Sequence, residues 1–476
     1  MWKILLLLYL RWIKGLNSPK GIINFSLKQY RNRTFLIQPD KNITLTFADF
    51  KNKLEETILY FRKMGLNKGD VLAYASVNSV EYFKIRAACH ILGVVFFGMP
   101  ASLSDEDLDY FVKKTNPKAL FKEKENRDVS IFSQKSPKRE KIETSLFSLN
   151  LSSGTTQKTP KIVRLTSQNW IESLYNYVRN SEEIGNKQNV FLCALPLATA
   201  GSTTFLPSML AGVTQVVTKE NPSCEVLADY IKTYKVNILY ITPSRLLEFI
   251  EWCKQNKEQP ESLEKIITGT ERFPAQKLKD AIGFFGPIIY VGYGMVEALP
   301  PISMLTPGDY HKLDSVGRVA RGVKVKILDD GRIAIKSKTV AEGYLDNPDE
   351  SAYCFKDGWF YTSDYGCLDK DGFLYIFGRK EEILTEKPRR IFASEVEDKL
   401  YELPFVKRCA VIKKGAQVGI FASLKQDADK EEAKNRIIRL VEDSSLDSET
   451  LVVIKEDLPV NALGKLNRRA LSEEIG

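Results

Sequence analysis

Apolar and polar positions along the chain change period several times, and each change marks an element. Thr46 followed three residues later by Asp49 has the form of a capping box, after which Phe47, Phe50, Leu54, Ile58 and Phe61 recur at helical spacing until Gly65. This predicts an amphipathic helix with one core face. Short β-rich runs follow at 71–76, 94–97, 190–197, 215–218, 236–242, 265–268 and 287–292, with helical stretches between most of them. Strands alternating with helices predict βαβ units and parallel sheets. The unbroken apolar character of 238–241 and 288–291 fits strands covered on both faces.

Between 122 and 141 the chain turns polar and charged, which reads as a solvated connection between two lobes or, the preferred reading, as an ordinary exposed loop. After Ser315 the pattern becomes one of short strands and turns, with Asp329-Asp330-Gly331 and Asp369-Lys370-Asp371-Gly372 as hairpin signals. The final stretch mixes strands at 409–412 and 418–424 with a helix carrying Ile437, Leu440 and Val441. The predicted architecture is α/β: a large N-terminal domain of two βα-layered lobes plus a β-rich subdomain, then a small α+β C-terminal domain.

Composition narrows the class. The 476 residues suffice for several domains, and 43% hydrophobic with 27% charged residues excludes a disordered, collagenous or membrane-bundle chain. The charge of +9 is enough to attract phosphates and does not by itself indicate nucleic acid, so no nucleic-acid partner is expected. Seven cysteines lie scattered without a CxxC pair or zinc spacing, as expected of reduced thiols in the cytoplasm. With only His90 and His311, a histidine-rich metal site is excluded, and any chemistry must rest on Lys, Arg, carboxylates and hydroxyls. The apolar run 4–10, flanked by Lys3, Arg11 and Lys14, is too short to span a bilayer and is followed by no small-residue cleavage site. Residues 1–14 are therefore expected to form an amphipathic helix packed on the domain, with a weak membrane-surface contact as the alternative.

The first chemically informative segment is Ser152-Ser-Gly-Thr-Thr-Gln-Lys-Thr-Pro-Lys161, a hydroxyl- and glycine-rich loop after the strand-like 146–151. Such a loop suits phosphate. Gly154 lets the backbone come close, Ser153, Thr155 and Thr156 can donate to phosphate oxygens, and Lys161 adds a point charge. It lacks the Gly-Lys-Ser/Thr ending of a P-loop. Downstream follow Tyr293-Gly-Met-Val-Glu297, Ser315-Val-Gly-Arg318, Glu342-Gly-Tyr344, Gly358-Trp-Phe-Tyr-Thr-Ser-Asp364, Asp371-Gly372, Gly378-Arg379 and Leu458-Pro-Val-Asn-Ala-Leu-Gly-Lys-Leu-Asn-Arg468.

In that order and spacing, over nearly the whole chain, these segments resemble the core motifs of the adenylate-forming superfamily: acyl-CoA synthetases, luciferases and the adenylation domains of nonribosomal peptide synthetases. The resemblance implies an acid–thiol ligase using ATP and Mg²⁺. A carboxylic acid becomes an acyl-adenylate with release of pyrophosphate, and the acyl group then passes to the thiol of CoA or of a carrier-protein phosphopantetheine. It also implies a domain of residues 1–380 binding ATP and the acid, and a mobile small domain of residues 381–476 that rotates about a hinge at Glu381. By resemblance, Ser153, Gly154, Thr155, Thr156 and Lys161 hold the ATP phosphates. Tyr293 stacks on adenine with Gly294 beside it, Asp364 accepts the ribose hydroxyls, and Arg379 reaches the nucleotide. Glu297 holds Mg²⁺, a hard cation that wants carboxylate and phosphate oxygens. Lys465 is the catalytic lysine that bridges carboxylate and α-phosphate, where two anions meet and a cation offsets their repulsion.

The acyl pocket is expected around Thr199, Gly269 and Gly292. Segment 196–201 carries no acidic residue for a substrate amine, so a fatty or aryl acid is favoured over an amino acid. The basic Arg389, Arg390, Lys407, Arg408, Lys413 and Lys414 suit CoA phosphates or an acidic carrier surface. Some positions depart from the pattern. The loop 156–160 is one residue longer and lacks a second glycine, Val296 stands where a threonine is usual, Ser363 replaces glycine, and Pro388 replaces a glycine of the thiol tunnel. These departures motivate the alternative of a degenerate homologue that binds nucleotide or acyl ligand without turnover.

Overall fold

The computed structural model describes residues 15–123, 130–133, 146–152, 160–180, 188–386, 389–426, 428–442, 449–460 and 465–475. Segments 1–14, 153–159 and 387–388, which include the N-terminal apolar run, most of the phosphate loop and Pro388, lie outside them. Among the described residues, strands form two large sheets and three smaller ones.

The larger sheet has nine strands, six of them parallel in the order Ile289–Met295, Lys265–Gly269, Ile238–Tyr240, Val190–Cys193, Thr214–Val216 and Thr34–Gln38. The second, of seven strands, has a parallel centre of Leu146–Leu151, Val95–Pro100, Val71–Ser76 and Ala119–Lys122. Helices cover both, as the alternation of strand and helix requires. The helix Phe47–Lys63 begins at the expected box: the Asp49 amide donates to Thr46 Oγ1 at 3.1 Å and the Thr46 amide to Asp49 Oδ2 at 2.9 Å. It buries Phe47, Phe50, Leu54 and Phe61. The β-rich subdomain is a five-stranded antiparallel sheet with hairpins at the two expected Asp-Gly turns. The small domain is the three-stranded sheet Val406–Lys414, Gln417–Leu424 and Glu449–Lys455, packed by Ala393–Glu402 and Lys430–Glu442 around Val396, Leu400, Val411, Ile420 and Ile437.

The two large sheets meet across helix Val80–Leu92. Asn78, just before it, donates to Leu195 O at 3.0 Å and accepts from the Leu197 amide at 2.7 Å, while Arg86 Nη1 donates to Ser202 O at 2.7 Å. Segment 195–202 is thus pinned to one helix at three points. The expected strand 190–197 ends at Cys193: the Ala194 amide still bonds to Tyr240 O, and from Leu195 on the backbone bonds to Asn78 instead. Arg86 is 1% exposed, with its guanidinium 4.7 Å from the Trp170 ring and 4.9 Å from the Phe205 ring, and its Nε donates to His90 Nε2 at 3.1 Å. Burial and the Arg86 charge hold His90 well below the ordinary histidine range, so it is a neutral core acceptor.

Of the two readings of 122–141, the connection between lobes is corrected, and most of the stretch lies outside the described residues. Glu123 is buried, accepting from Tyr74 Oη at 2.5 Å and Ser79 Oγ at 2.9 Å. Ser130–Ser133 pairs with Ala119–Lys122, and Leu146–Leu151 returns to the same sheet. The chain therefore enters and leaves this stretch on one sheet, and it returns to the nine-stranded sheet, which already holds Thr34–Gln38 and Ile43–Thr46, only after the helix Ser167–Asn180. All seven cysteines are free thiols, and among the described residues no helix is long and apolar enough to cross a membrane.

Candidate active site

The site lies where parallel strands Lys265–Gly269 and Ile289–Met295 end side by side, with Gly269 opposite Gly292. Ligands gather at such carboxyl-terminal strand ends in open α/β sheets. The two glycines differ in purpose. A Cβ on Gly269 would stand 2.4 Å from Gly292 O, so this residue is fixed by backbone approach, whereas a Cβ on Gly292 would meet nothing closer than Thr268 O at 3.8 Å. Of the two, only Gly292 leaves room for a ligand. Thr199 sits in the pinned segment 195–202, its amide donating to Pro196 O at 3.2 Å.

Tyr293 and Gly294 follow on the same strand. A Cβ on Gly294 would approach Pro300 Cβ to 2.6 Å, so the return strand Ala298–Leu305 demands glycine there. Tyr293 Oη donates to Asp364 Oδ2 at 2.6 Å, and Arg379 Nε donates to Asp364 Oδ1 at 3.1 Å. Asp364 and Arg379 are direct cross-strand partners in the hairpin closed by Asp371-Gly372, which sets their pairing. Burial and the Asp364 charge push the Tyr293 phenol well above its ordinary value, keeping it a donor. Burial alone would lower the Arg379 guanidinium; the Asp364 carboxylate beside it raises it overall. The Arg379 amide also donates to Glu382 Oε2 at 2.9 Å.

Glu297 lies in the turn between the two strands and accepts from Tyr344 Oη at 3.2 Å. Its carboxyl is raised by burial, opposed by the Tyr344 hydrogen bond and by the Arg379 and Lys161 charges. Val296, beside it, packs against the apolar core, so nothing there replaces the hydroxyl of a threonine. Lys161 stands at the base of the hydroxyl-rich loop, which is closed by the Ser152 amide donating to Lys161 O at 2.9 Å and the Lys161 amide to Ser152 Oγ at 3.0 Å. Its Nζ pairs with Glu350 and lies 4.8 Å from the Tyr344 ring centroid. Among the described residues no cluster of three or more His, Cys, Asp or Glu could cage a metal. A lone carboxylate such as Glu297 is the partial donor set that Mg²⁺ uses together with phosphate oxygens.

From the small domain, Lys465 Nζ donates to Thr270 O at 2.7 Å, one residue beyond Gly269. Burial lowers its pKa, with the Glu271 carboxylate opposing and Arg379 adding to the shift. The expected residues Tyr293, Asp364, Arg379, Glu297, Lys161 and Lys465 therefore come to one cleft from five segments of the chain. Glu381 lies apart from them, exposed in the short turn Lys380–Glu382 that joins the β-rich sheet to the strand Ile383–Thr385. Ser153, Gly154, Thr155 and Thr156 lie outside the described residues. Glu350, Glu271, Thr270 and the role of Tyr344 escape the sequence reading. Tyr344 stands in the Glu342-Gly-Tyr344 motif, whereas only the fold brings Glu350 to Lys161 and Glu271 to Lys465. Much of the expected basic patch is engaged elsewhere: Arg408 pairs with Glu248, Arg390 with Glu386, and Lys413 with Leu384 O.

A cleft of this kind, an aromatic hydroxyl and a guanidinium on one carboxylate beside a lysine delivered by a second domain, belongs to a nucleotide-dependent α/β enzyme. Residues 24–345 match the AMP-binding enzyme family, and the chain belongs to that family. Among known relatives, the medium/long-chain-fatty-acid–CoA ligase of Mycobacterium tuberculosis is 30% identical over 305 residues, 59% of this chain and 53% of that protein. The chain thus spans about half the length of that relative. A 2-succinylbenzoate–CoA ligase of Listeria monocytogenes is 26% identical over 455 residues, 90% of this chain and 94% of the ligase. The crystal structure of an anthranilate CoA ligase in complex with anthranoyl-AMP has the same fold, with a TM-score of 0.84 over 96% of this chain and 97% of that one at 20% identity. The expected family and the architecture of a large N-terminal and a small C-terminal domain are borne out.

Proposed function

We propose that this protein is an ATP-dependent acid–thiol ligase acting on a fatty or aryl carboxylic acid, with CoA as acceptor. A carboxylate oxygen attacks the α-phosphorus of ATP, the bond to the β-phosphate oxygen breaks, and pyrophosphate leaves. A thiolate then attacks the acyl carbon of the mixed anhydride and AMP leaves. The observation that supports this reading best is Lys465 at Thr270 O, beside the Tyr293–Asp364–Arg379 cluster, where a cation offsets the meeting of carboxylate and α-phosphate.

In this reading Tyr293 and Gly294 face adenine, Asp364 accepts the ribose hydroxyls, and Arg379 contributes its remaining guanidinium donors to the nucleotide. Lys161 and the loop containing Ser153, Gly154, Thr155 and Thr156 take the β- and γ-phosphates, with Lys161 leaving Glu350 for phosphate. Glu297 holds Mg²⁺ jointly with those phosphates. The acyl group lies between Gly292 and the segment carrying Thr199, where the room beside Gly292 suits a chain or ring. The domain boundary falls at 380/381, with Glu381 in the hinge and the following residues moving with Lys465. A carrier-protein phosphopantetheine is the alternative acceptor.

The test supplies ATP, Mg²⁺, CoA and a panel of fatty and aryl acids and follows products by mass spectrometry. Stoichiometric AMP and acyl-CoA with one acid class supports the assignment; AMP without thioester redirects the second step to a carrier thiol.

A further inference from the structure

Among the contacts between the N-terminal domain and the small domain, one short segment carries several. Thr270 adopts φ +72, the left-handed region that a β-branched residue rarely enters, and the carbonyl so presented accepts from Lys465 Nζ. Two residues on, Arg272 pairs with Asp398 of the helix Ala393–Glu402. Lys277, 8% exposed, donates to Val406 O at 3.0 Å and lies 5.2 Å from the Tyr401 ring centroid. Beside this segment Glu248 pairs with Arg408, 9% exposed, whose Nη1 is also 3.9 Å from Asp457. Three charged side chains of the large domain thus meet partners on the small one; Lys277 is buried on the one side and Arg408 on the other. A misplaced pairing here leaves a buried charge unmet, which is strongly unfavourable.

Resting on the ligase reading above, we propose that 270–277 together with Glu248 forms a docking latch, and that Arg272–Asp398 and Glu248–Arg408 are positioning pairs that hold Lys465 over the reacting groups. None of these four residues touches substrate. They act by fixing the rotation of the small domain, and so the reach of a lysine that comes from it. Because Lys465 serves the step in which carboxylate meets α-phosphate, the latch matters for adenylate formation and not for the attack of a thiol on an adenylate already made.

The test uses the full chain with the charge reversals Arg272→Asp, Asp398→Arg and the two combined, at a pair whose side chains are partly exposed. Acid-dependent exchange of pyrophosphate into ATP is expected to fall about tenfold or more in each single reversal, since small misplacements of reacting groups are costly, and to recover in the double reversal. Thioester formation from supplied acyl-adenylate is expected to stay near the wild-type rate. Amide hydrogen exchange at 275–285 and 393–402 provides a readout independent of turnover, rising in each single variant and falling back in the double. Single reversals that leave both pyrophosphate exchange and amide protection unchanged, or a folded double variant that restores neither, overturn the latch. A wild-type protein without pyrophosphate exchange overturns the ligase reading instead, and the protection pattern then still decides whether the pairs dock the domains. Should a reversal lower the melting temperature, Arg272→Gln and Asp398→Asn are measured in the same way.

Discussion

Tyr293 and Arg379 divide one carboxylate between them: the phenol holds Asp364 Oδ2 at 2.6 Å and the guanidinium holds Oδ1 at 3.1 Å. Tyr293→Phe removes a single neutral donor and is expected to weaken ATP binding by about 0.5–1.5 kcal/mol. Asp364→Ala removes the acceptor and leaves Arg379 facing no carboxylate at that position, so a larger loss is expected, about 2–4 kcal/mol. Isothermal titration with ATP on both variants checks the order; equal losses contradict it.

Glu297 is the carboxylate at the turn between strands Ile289–Met295 and Ala298–Leu305, and its pKa is raised chiefly by burial. Replacement by Gln keeps the shape and the contact with Tyr344 but removes the negative charge. The expected outcome is a higher Mg²⁺ concentration for half-maximal activity, with binding of metal-free ATP little changed. Since the folded pKa is raised, the wild-type enzyme gains a proton there at higher pH than an exposed glutamate does, and its Mg²⁺ requirement is expected to climb earlier on acidification. A Mg²⁺ titration at several pH values measures both effects.

Lys465 has a pKa below the ordinary 10.5 because burial disfavours its charge, with Arg379 acting in the same direction and Glu271 against it. The ammonium is therefore lost at lower pH than in a free lysine, and adenylate formation is expected to decline on an alkaline limb below 10.5. Glu271→Gln removes the opposing carboxylate and moves that limb further down. A pH profile of the first half-reaction for both proteins shows the shift; a limb moving upward contradicts the assignment.

Gly269 and Gly292 face one another at the strand ends and predict opposite outcomes when each becomes alanine. In Gly269→Ala the new Cβ meets backbone oxygen at 2.4 Å, which the sheet can relieve only by moving, and destabilisation of about 1–3 kcal/mol is expected. Gly292→Ala meets nothing nearer than 3.8 Å and is expected to keep the melting temperature while shifting preference to smaller acids. Thermal melts and an acid panel separate the two.

Where function follows from short segments with fixed order, the sequence is a good guide: Tyr293, Asp364, Arg379 and Lys465 converge in one cleft although Tyr293 and Lys465 stand far apart in the chain. Helix Phe47–Lys63 is equally legible, since cap and period agree. The reading falls short where long-range pairing decides. Glu123 sits in a charged run, yet Tyr74 and Ser79 satisfy it inside the fold, and nothing local to 122–128 announces those partners. Arg408 likewise resembles a solvated patch until Glu248, 160 positions away, pairs with it. The expectation of space at Gly269 fails because the glycine answers to a neighbouring backbone that only the sheet register reveals.

The most direct measurement is carboxylate-dependent exchange of pyrophosphate into ATP over fatty, aryl and amino acids, with Lys465→Ala beside the wild type. Exchange confined to one class of acid and lost in Lys465→Ala, with its melting temperature unchanged, is the predicted result. Exchange that persists at the wild-type rate without the Lys465 ammonium, or folded wild-type protein that exchanges with no acid at all, contradicts it.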